Sequence, residues 1–281
     1  MQYGVTIFPT DYSMPMAELG PAVEERGFES LWVAEHSHIP VCRTSPWPGG
    51  GDLPKMYYGT LDPFVALTAA AVRTTTLKLG TGICLVVQRD PIHTAKQVAS
   101  LDLVSGGRLL FGVGGGWNFE EMGNHGTESD HRFGLLRERI EAMKAIWSAS
   151  KAEYHGKYVD FDPIHMWPKP KQTPHPPIHV GGAFPGGARR ALRYGDGWIP
   201  IAGRDDFEQQ LADFAALAAE EGRDPKSIEI STYGVVAKDK IVERYASAGI
   251  DRVVFGLPPA DADKLLPYLD ELVALIERVG G

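Results

Sequence analysis

Residues 105–121 read Ser-Gly-Gly-Arg-Leu-Leu-Phe-Gly-Val-Gly-Gly-Gly-Trp-Asn-Phe-Glu-Glu. The turn Ser105–Gly107 precedes an apolar run, Leu109–Val113, whose length and flanking glycines are typical of a buried strand. Gly114, Gly115 and Gly116 then leave the backbone open to close approach, and Trp117 adds a planar surface. The stretch predicts one wall of a pocket for a planar cofactor, although a Gly-rich loop with a core Trp would explain the same residues. It is not a dinucleotide fingerprint, because Gly-x-Gly-x-x-Gly would need a glycine at position 117.

The same succession of a short apolar run and a helical segment recurs along the whole chain. The eight predicted strands are Val5–Phe8, Ser30–Ala34, Leu77–Leu85, Leu109–Val113, Pro177–Gly182, Gly197–Ile201, Ile228–Val236 and Arg252–Gly256. Strict alternation predicts a parallel sheet with helical crossovers. Eight units in about 250 residues favour an α/β fold of the (β/α)8 TIM-barrel type, forming one domain over residues 1–281. An open doubly wound sheet is the alternative.

Three segments interrupt this alternation. Residues 37–61 follow the second strand and are rich in Pro, Gly and aromatic residues, and residues 117–131 follow the fourth strand. Residues 151–177 predict a hairpin around His155–Gly156 and then a Pro-rich linker. A long loop in a compact domain is usually functional, so we predict that residues 37–61 cover the substrate.

Composition excludes several classes of protein. The 281 residues carry a net charge of −8 without a Lys/Arg-rich block, which argues against nucleic acid and anionic membranes as partners. No basic leader or apolar stretch of about 18 residues is present, so we expect neither a signal peptide nor a membrane span. Cys42 and Cys84 lack disulfide or metal-type spacing, and the histidines lack ligand spacing. We expect a cytoplasmic protein without a metal site.

Active sites of such barrels lie at the carboxyl ends of the strands. His36 follows the second strand there and is the predicted acid/base residue, because imidazole titrates near neutral pH; a structural His is the alternative. Glu35 points to the opposite face and is predicted to be a buried ion-pair partner, and His38 is expected to be solvated. At most one of Glu120 and Glu121 is expected to face the site.

Further candidates follow the later strands. Gly181, Gly182 and Ala183 precede a helix, where backbone N–H groups suit a phosphate, although a flexible turn is the alternative. Ile201 and Gly203 end the sixth strand at the same mouth. Asp102 and Arg108 are predicted to form a structural pair. An apolar or aromatic substrate is expected from the aromatic residues Trp47, Tyr57, Tyr58, Trp117 and Trp198.

Five motifs in order resemble the bacterial luciferase-like family of flavin and deazaflavin oxidoreductases. They span nearly the whole chain and are specific for the family rather than for one member. The motifs are Ser30–His36, Leu79–Ile83, Ala99–Arg108, Gly112–Asn118, and Gly181–Gly182 with Tyr194–Trp198.

The resemblance implies a TIM barrel, a homodimer, and either coenzyme F420 or reduced FMN with oxygen. The F420-dependent members have a His after the second strand, which maps onto His36, and a bulge in the third strand with a non-proline cis peptide, which maps onto Gly82-Ile83. A Glu of sugar-phosphate-oxidising members would fall at Trp117, and a phosphate-binding Arg of luciferase near Gly115. Their absence argues against that substrate and against luciferase-type FMN binding.

The resemblance therefore favours an F420-dependent oxidoreductase that transfers a hydride between the deazaflavin and a small carbonyl, alcohol or activated alkene. His36 would handle a proton, Gly82 and Ile83 would support the ring, Gly114 to Trp117 would line the pocket, and Gly181 to Ala183 would hold the phosphate. An FMN-dependent monooxygenase supplied by a reductase is the second interpretation. A non-catalytic flavin-binding protein is the third.

Overall fold

The computed structural model describes residues 1–202 and 207–280, and its strands close into an eight-stranded parallel barrel. The order around the barrel is β1-β10-β9-β8-β7-β4-β3-β2, and β5 with β6 forms a separate antiparallel hairpin. The TIM-barrel prediction is confirmed, whereas the predicted site position Gly203 lies outside the described residues. The strands are β1 (Gln2–Ile7), β2 (Ser30–Val33), β3 (Lys78–Thr81), β4 (Leu109–Val113), β5 (Ala152–His155), β6 (Asp160–Ile164), β7 (Ile178–Gly181), β8 (Gly197–Ile199), β9 (Glu229–Val235) and β10 (Arg252–Gly256).

Helices surround the barrel, and two of them begin with the same sequence signal. Asp62 and Asp90 cap α2 and α3 with side-chain oxygens that accept backbone N–H bonds, and a proline occupies the first helical position of each. None of the described helices is long and apolar enough to cross a bilayer. The helices are α1 (Met16–Glu25), α2 (Pro63–Ala71), α3 (Pro91–Val104), α4 (Phe119–Asn124), α5 (Arg132–Ser148), α6 (Gly186–Tyr194), α7 (Phe207–Glu220), α8 (Asp239–Ser247) and α9 (Ala262–Val279).

The third strand is shorter than the sequence predicts. The apolar run extends to Leu85, yet β3 ends at Thr81. The Gly82-Ile83 peptide bond is cis, as expected for this stretch, and Cys84 makes only an isolated bridge to Val113. The chain therefore leaves the regular sheet directly after Thr81 and presents the next residues at the mouth of the barrel.

Trp32 fills the barrel interior together with Leu110, Ile199 and Val254. A Cβ atom on Gly80 would lie 2.2 Å from the Trp32 ring, so a side chain at position 80 would displace the indole. Gly80 therefore makes room for a core residue, a role in packing that the sequence did not indicate.

The predicted pair between Asp102 and Arg108 is wrong. The Asp102 carboxylate accepts bonds from Gln172, one from N at 2.8 Å and one from Nε2 at 2.7 Å. Arg108 instead donates to the carbonyls of Leu77 at 2.6 Å and Ala71 at 2.8 Å. Each side chain joins different loops, because residues six apart across a tight turn need not face each other.

A buried charge network closes the amino-terminal end of the barrel. Arg252 is fully buried and donates to both carboxylate oxygens of Glu29 at 2.8 and 2.9 Å and to Glu229.

His179 in β7 is a buried residue without such partners. It is 1% exposed, and neither ring nitrogen has a hydrogen-bond partner among the described residues. Burial lowers the pKa of His179 to about 4, although Glu229 acts in the opposite direction.

The buried His179 predicts an acid-sensitive fold. The unfolded chain binds a proton at this residue below its ordinary pKa of 6.5, whereas the folded chain does so only near 4, so stability is lost as the pH falls between these values. Between about pH 7.5 and about pH 5 this residue removes about 2 kcal/mol from the free energy of unfolding. Urea unfolding of the wild type and of His179→Gln at several pH values measures how steeply the free energy of unfolding of each protein changes with pH.

The exposed His93 provides the matched control, since its side chain is 90% exposed. In His93→Gln the free energy of unfolding should depend on pH as in the wild type. In His179→Gln the part of the pH dependence that comes from residue 179 should be absent. An identical pH dependence in all three proteins would contradict a neutral buried His179.

Candidate active site

His36 follows β2 at the carboxyl edge of the barrel, and its side chain is 6% exposed. Its Nδ1 lies 2.7 Å from Oε2 of Glu121, whose side chain is fully buried. Burial alone would raise the pKa of Glu121, but the hydrogen bonds from His36 and Ser37 outweigh it and hold the pKa below its ordinary value. Glu121 is therefore a carboxylate, and it accepts the Nδ1–H of the imidazole.

Short local contacts orient Glu121. Its Oε1 accepts the Ser37 N–H at 2.9 Å and the Ser37 hydroxyl at 3.2 Å. Asn118 is the N-cap of α4 and accepts the backbone N–H of Glu121 at 3.4 Å. Both carboxylate oxygens are thus occupied, which leaves the Nε2 side of His36 for a ligand at the mouth.

The preceding residue, Glu120, contacts the 37–61 loop instead. Its Oε1 accepts the N–H and hydroxyl of Thr44 at 2.8 and 2.6 Å and the N–H of Ser45 at 3.1 Å, and its Oε2 accepts the Ser45 hydroxyl at 2.6 Å. Consecutive residues of α4 therefore serve different partners, and of the two glutamates it is Glu121 that contacts His36.

The prediction that Glu35 is a buried ion-pair partner is confirmed. Glu35 lies 2.5 Å from Arg89 and also accepts the Leu85 N–H at 2.6 Å. His38, expected to be solvated, is half-buried, and its Nδ1 lies 2.9 Å from the Ser37 hydroxyl.

Four of the predicted cofactor positions meet around Ile83. A Cβ atom on Gly114 would lie 2.1 Å from Ile83 Cδ1, and one on Gly181 would lie 2.9 Å from Ile83 Cγ2. The Gly82 carbonyl accepts the Tyr233 hydroxyl at 2.7 Å, and that hydroxyl is also hydrogen-bonded to Thr6. Gly114 after β4, Gly181 in β7 and the partly buried Tyr233 thus hold Ile83 and its neighbour Gly82 in place.

Aromatic rings border the same mouth. The Trp117 ring centroid lies 5.6 Å from that of His36, and the Tyr57 centroid lies 5.1 Å from His36. Trp47 donates its Nε1–H to the Tyr57 hydroxyl at 3.0 Å. Tyr58 is 61% exposed and takes part in none of these ring contacts.

The position of Trp198 contradicts its predicted place in the substrate pocket. It is fully buried, its ring stacks on Phe214 of α7 at 5.5 Å, and its Nε1–H bonds the Gly182 carbonyl at 2.9 Å. The indole lies between the barrel wall and the helix layer. It supports the Gly182 turn and has no surface for a substrate.

The mouth has a cationic end that the sequence analysis missed. Gly182 adopts φ +140°, and a Cβ atom there would lie 3.0 Å from Arg190 Nη2. The guanidinium carbons of Arg132 and Arg190 lie 4.3 and 3.9 Å from the ring centroid of Phe133. Among the described residues, the buried Nε atoms of both arginines lack hydrogen-bond partners.

The electrostatics of this end suit an anion. Burial lowers the pKa of Arg190, and the neighbouring Arg132 lowers it further. The Gly181–Ala183 turn precedes α6, whose amino terminus adds oriented N–H groups. An anion placed here would relieve the repulsion between the two guanidinium groups, and a guanidinium forms charge-assisted hydrogen bonds with phosphate.

The position of Arg132 also bears on the prediction that the chain lacks a phosphate-binding arginine near Gly115. A Cβ atom on Gly115 would lie 3.6 Å from Arg132 Cδ, so an arginine from α5 occupies the region where the sequence shows none. The absence of an arginine at position 115 therefore does not discriminate between FMN and F420.

Comparisons with known proteins agree with this geometry. The family model for luciferase-like monooxygenases matches residues 14–256. An uncharacterised protein of Mycobacterium tuberculosis is 38% identical over 283 residues, covering 98% of each chain. The F420-dependent hydroxymycolic acid dehydrogenase of the same organism is 30% identical over 85% of this chain and 63% of its own. The FMNH2-dependent dimethylsulfone monooxygenase of Pseudomonas putida is 32% identical over 60% of this chain and 47% of its own.

The cationic end predicts that inorganic phosphate stabilises the protein. A ligand that binds the native state but not the unfolded chain raises the melting temperature. Phosphate at tens of millimolar should raise the wild-type melting temperature by a few degrees relative to chloride at equal ionic strength, and Arg190→Met should abolish this increase. Differential scanning fluorimetry measures the shift.

Arg189 is the matched control, because it is the neighbour of Arg190 but pairs with Glu220 and Glu221 on the outer surface. Arg189→Met should keep the phosphate response. If Arg190→Met responds to phosphate as the wild type does, the anion site lies elsewhere.

Proposed function

The chain belongs to the luciferase-like monooxygenase family, and on this premise we propose that it is an oxidoreductase dependent on coenzyme F420. The proposed reaction transfers a hydride between the deazaflavin and a small organic carbonyl, alcohol or activated alkene. The 30% identity to a relative that is named as F420-dependent supports this choice.

One observation carries the proposal: the buried carboxylate of Glu121 holds His36 by Nδ1 at the mouth of the barrel. A hydride transfer to or from a carbon–oxygen bond also needs a proton to be delivered or removed at the oxygen. His36 follows β2 at the mouth of the barrel and would serve as that proton donor or acceptor without a second titratable group.

The residues present fit a deazaflavin cofactor. Gly114 and Gly181 make room for Ile83, whose partly buried side chain offers an apolar support for a planar ring. The Nε atoms of Arg132 and Arg190, which lack hydrogen-bond partners among the described residues, suit the phosphate of its side chain. Gly82 and Ile83 would support one face of the ring, Gly114, Gly115, Gly116 and Trp117 would line its pocket, and Gly181, Gly182 and Ala183 would hold the phosphate. When bound, F420 supplies hydride chemistry and does not activate oxygen readily.

The residues around His36 determine which of its atoms exchanges a proton with the substrate. Because Glu121 accepts the Nδ1–H, the Nε2 atom of His36 is the position that gives or takes a proton at the substrate oxygen. The Glu121 carboxylate fixes the orientation of the imidazole ring through the hydrogen bond to Nδ1. Trp117 and Tyr57 exclude water from the imidazole, and Trp47 holds Tyr57 in place.

An FMN-dependent monooxygenase supplied by a partner reductase remains the second candidate function. Arg132 beside Gly115 is compatible with it, because both cofactors carry a phosphate that a cation there could bind. An FMNH2-dependent relative supports it as well. We also propose a homodimer, for which the exposed apolar side chains of Val65 in α2 and of Leu61 and Val72 beside its two ends offer a surface.

Cofactor choice is tested by titration. The full chain should quench F420 fluorescence with a dissociation constant at least about tenfold below that for FMN, a difference of about 1.4 kcal/mol in binding free energy. Gly182→Val should weaken F420 binding, since a side chain there would meet Arg190 Nη2. Clearly tighter FMN binding would replace the F420 proposal with the monooxygenase.

The role of His36 is tested by His36→Ala. Turnover should fall by about 10²–10⁴-fold, the usual contribution of a general acid or base, while F420 affinity stays within a few-fold. His155→Ala, on the exposed hairpin, is the control and should keep full turnover. An unchanged rate in His36→Ala would return His36 to a structural role, and a chain that binds cofactor without any turnover would be the non-catalytic binding protein.

A further inference from the structure

Arg43 brings a third cation to the mouth, on the substrate side. Its guanidinium carbon lies 5.5 Å from the centroid of the Trp117 ring, and that ring also borders His36 at 5.6 Å. We infer that Arg43 binds a carboxylate of the substrate, so that the substrate is an aromatic or apolar molecule with one carboxylate group. This inference rests on the proposed function only for the identity of the mouth as the substrate pocket.

The segment that carries Arg43 is fixed, although it belongs to the 37–61 loop. The next two residues donate four hydrogen bonds to Glu120, from the N–H and hydroxyl groups of Thr44 and Ser45. The Ser45 hydroxyl also accepts the Phe119 N–H at 3.1 Å, and Arg43 donates to the Ser45 carbonyl. A cation held in this way loses little conformational freedom when a ligand binds.

The carboxylates nearest to the Arg43 segment already have other partners. Glu120 is occupied by the loop, Glu121 by His36 and Ser37, and Glu35 by Arg89. No ion pair within residues 1–202 and 207–280 involves Arg43. Its guanidinium therefore keeps N–H donors for an external anion.

The chemistry of the surroundings selects the class of anion. Trp117 and Tyr57 offer flat apolar surfaces, which suit an aromatic or apolar body. A guanidinium matches the two oxygens of a carboxylate, and a single arginine balances a single negative charge rather than a phosphate dianion. A substrate that places its reacting oxygen at His36 and its carboxylate at Arg43 would lie across the Trp117 ring.

Benzoate and benzamide form a matched pair of probes, because they share shape and differ in charge. The full chain is titrated with each, without and with F420, and tryptophan fluorescence reports binding. Benzoate should bind about tenfold more tightly than benzamide, as expected for a charge-assisted hydrogen bond. Arg43→Met should remove this preference, and Arg43→Lys should restore only part of it.

Lys55→Met is the matched control, since Lys55 is a cation of the same loop that stacks on Tyr12 at 4.5 Å rather than on Trp117. It should keep the preference for benzoate. Equal affinities of the wild type for the two probes, failure of benzoate to bind at tens of millimolar, or a preference that survives in Arg43→Met would each overturn the inference. The F420 isotherm is recorded separately, so a failure of the cofactor proposal and a failure of the anion site are distinguishable.

Discussion

The hydrogen bond between His36 and Glu121 is the interaction on which the candidate site depends. It joins residues 85 positions apart, one after β2 and the other in α4, and both side chains are almost inaccessible to water. A buried carboxylate is tolerated only when its oxygens are bonded, and Ser37 supplies the bonds that His36 does not. Removal of either partner would leave an unpaired buried group, so the segment after β2 and α4 are held together by the same contact that orients the imidazole.

Charge is distributed unevenly between the mouth and the rest of the molecule. The chain carries a net charge of −8, yet Glu35, Glu120 and Glu121 at the mouth are each engaged by N–H, hydroxyl or guanidinium donors. Arg43 lies against Trp117, whereas Arg132 and Arg190 lie against Phe133. The chain as a whole is acidic, whereas under the two proposals its mouth would receive two anions, one from a cofactor and one from a substrate.

The sequence was sufficient to predict the barrel and much of its mouth, because strand–helix alternation and strand-end glycines are local signals. The structure confirms that His36 follows β2 and that the Gly82-Ile83 bond is cis. The sequence analysis assigned Trp198 to the wrong side of the wall, because strands buried on both faces show no polar alternation that separates inside from outside. It missed Arg132 and Arg190, since these come from two helices that only tertiary packing brings onto Phe133.

The central claim is that one mouth holds the ring at Ile83 and the phosphate at Arg190, with His36 facing the reacting atoms. A crystal structure of the chain with F420 bound tests it most directly. The account predicts a ring in contact with Ile83, a phosphate within hydrogen-bond distance of Arg190 and the Gly182 turn, and the Nε2 atom of His36 open toward the exposed ring face. A ring bound away from Ile83, or a phosphate that contacts neither Arg190 nor the Gly182 turn, would contradict it.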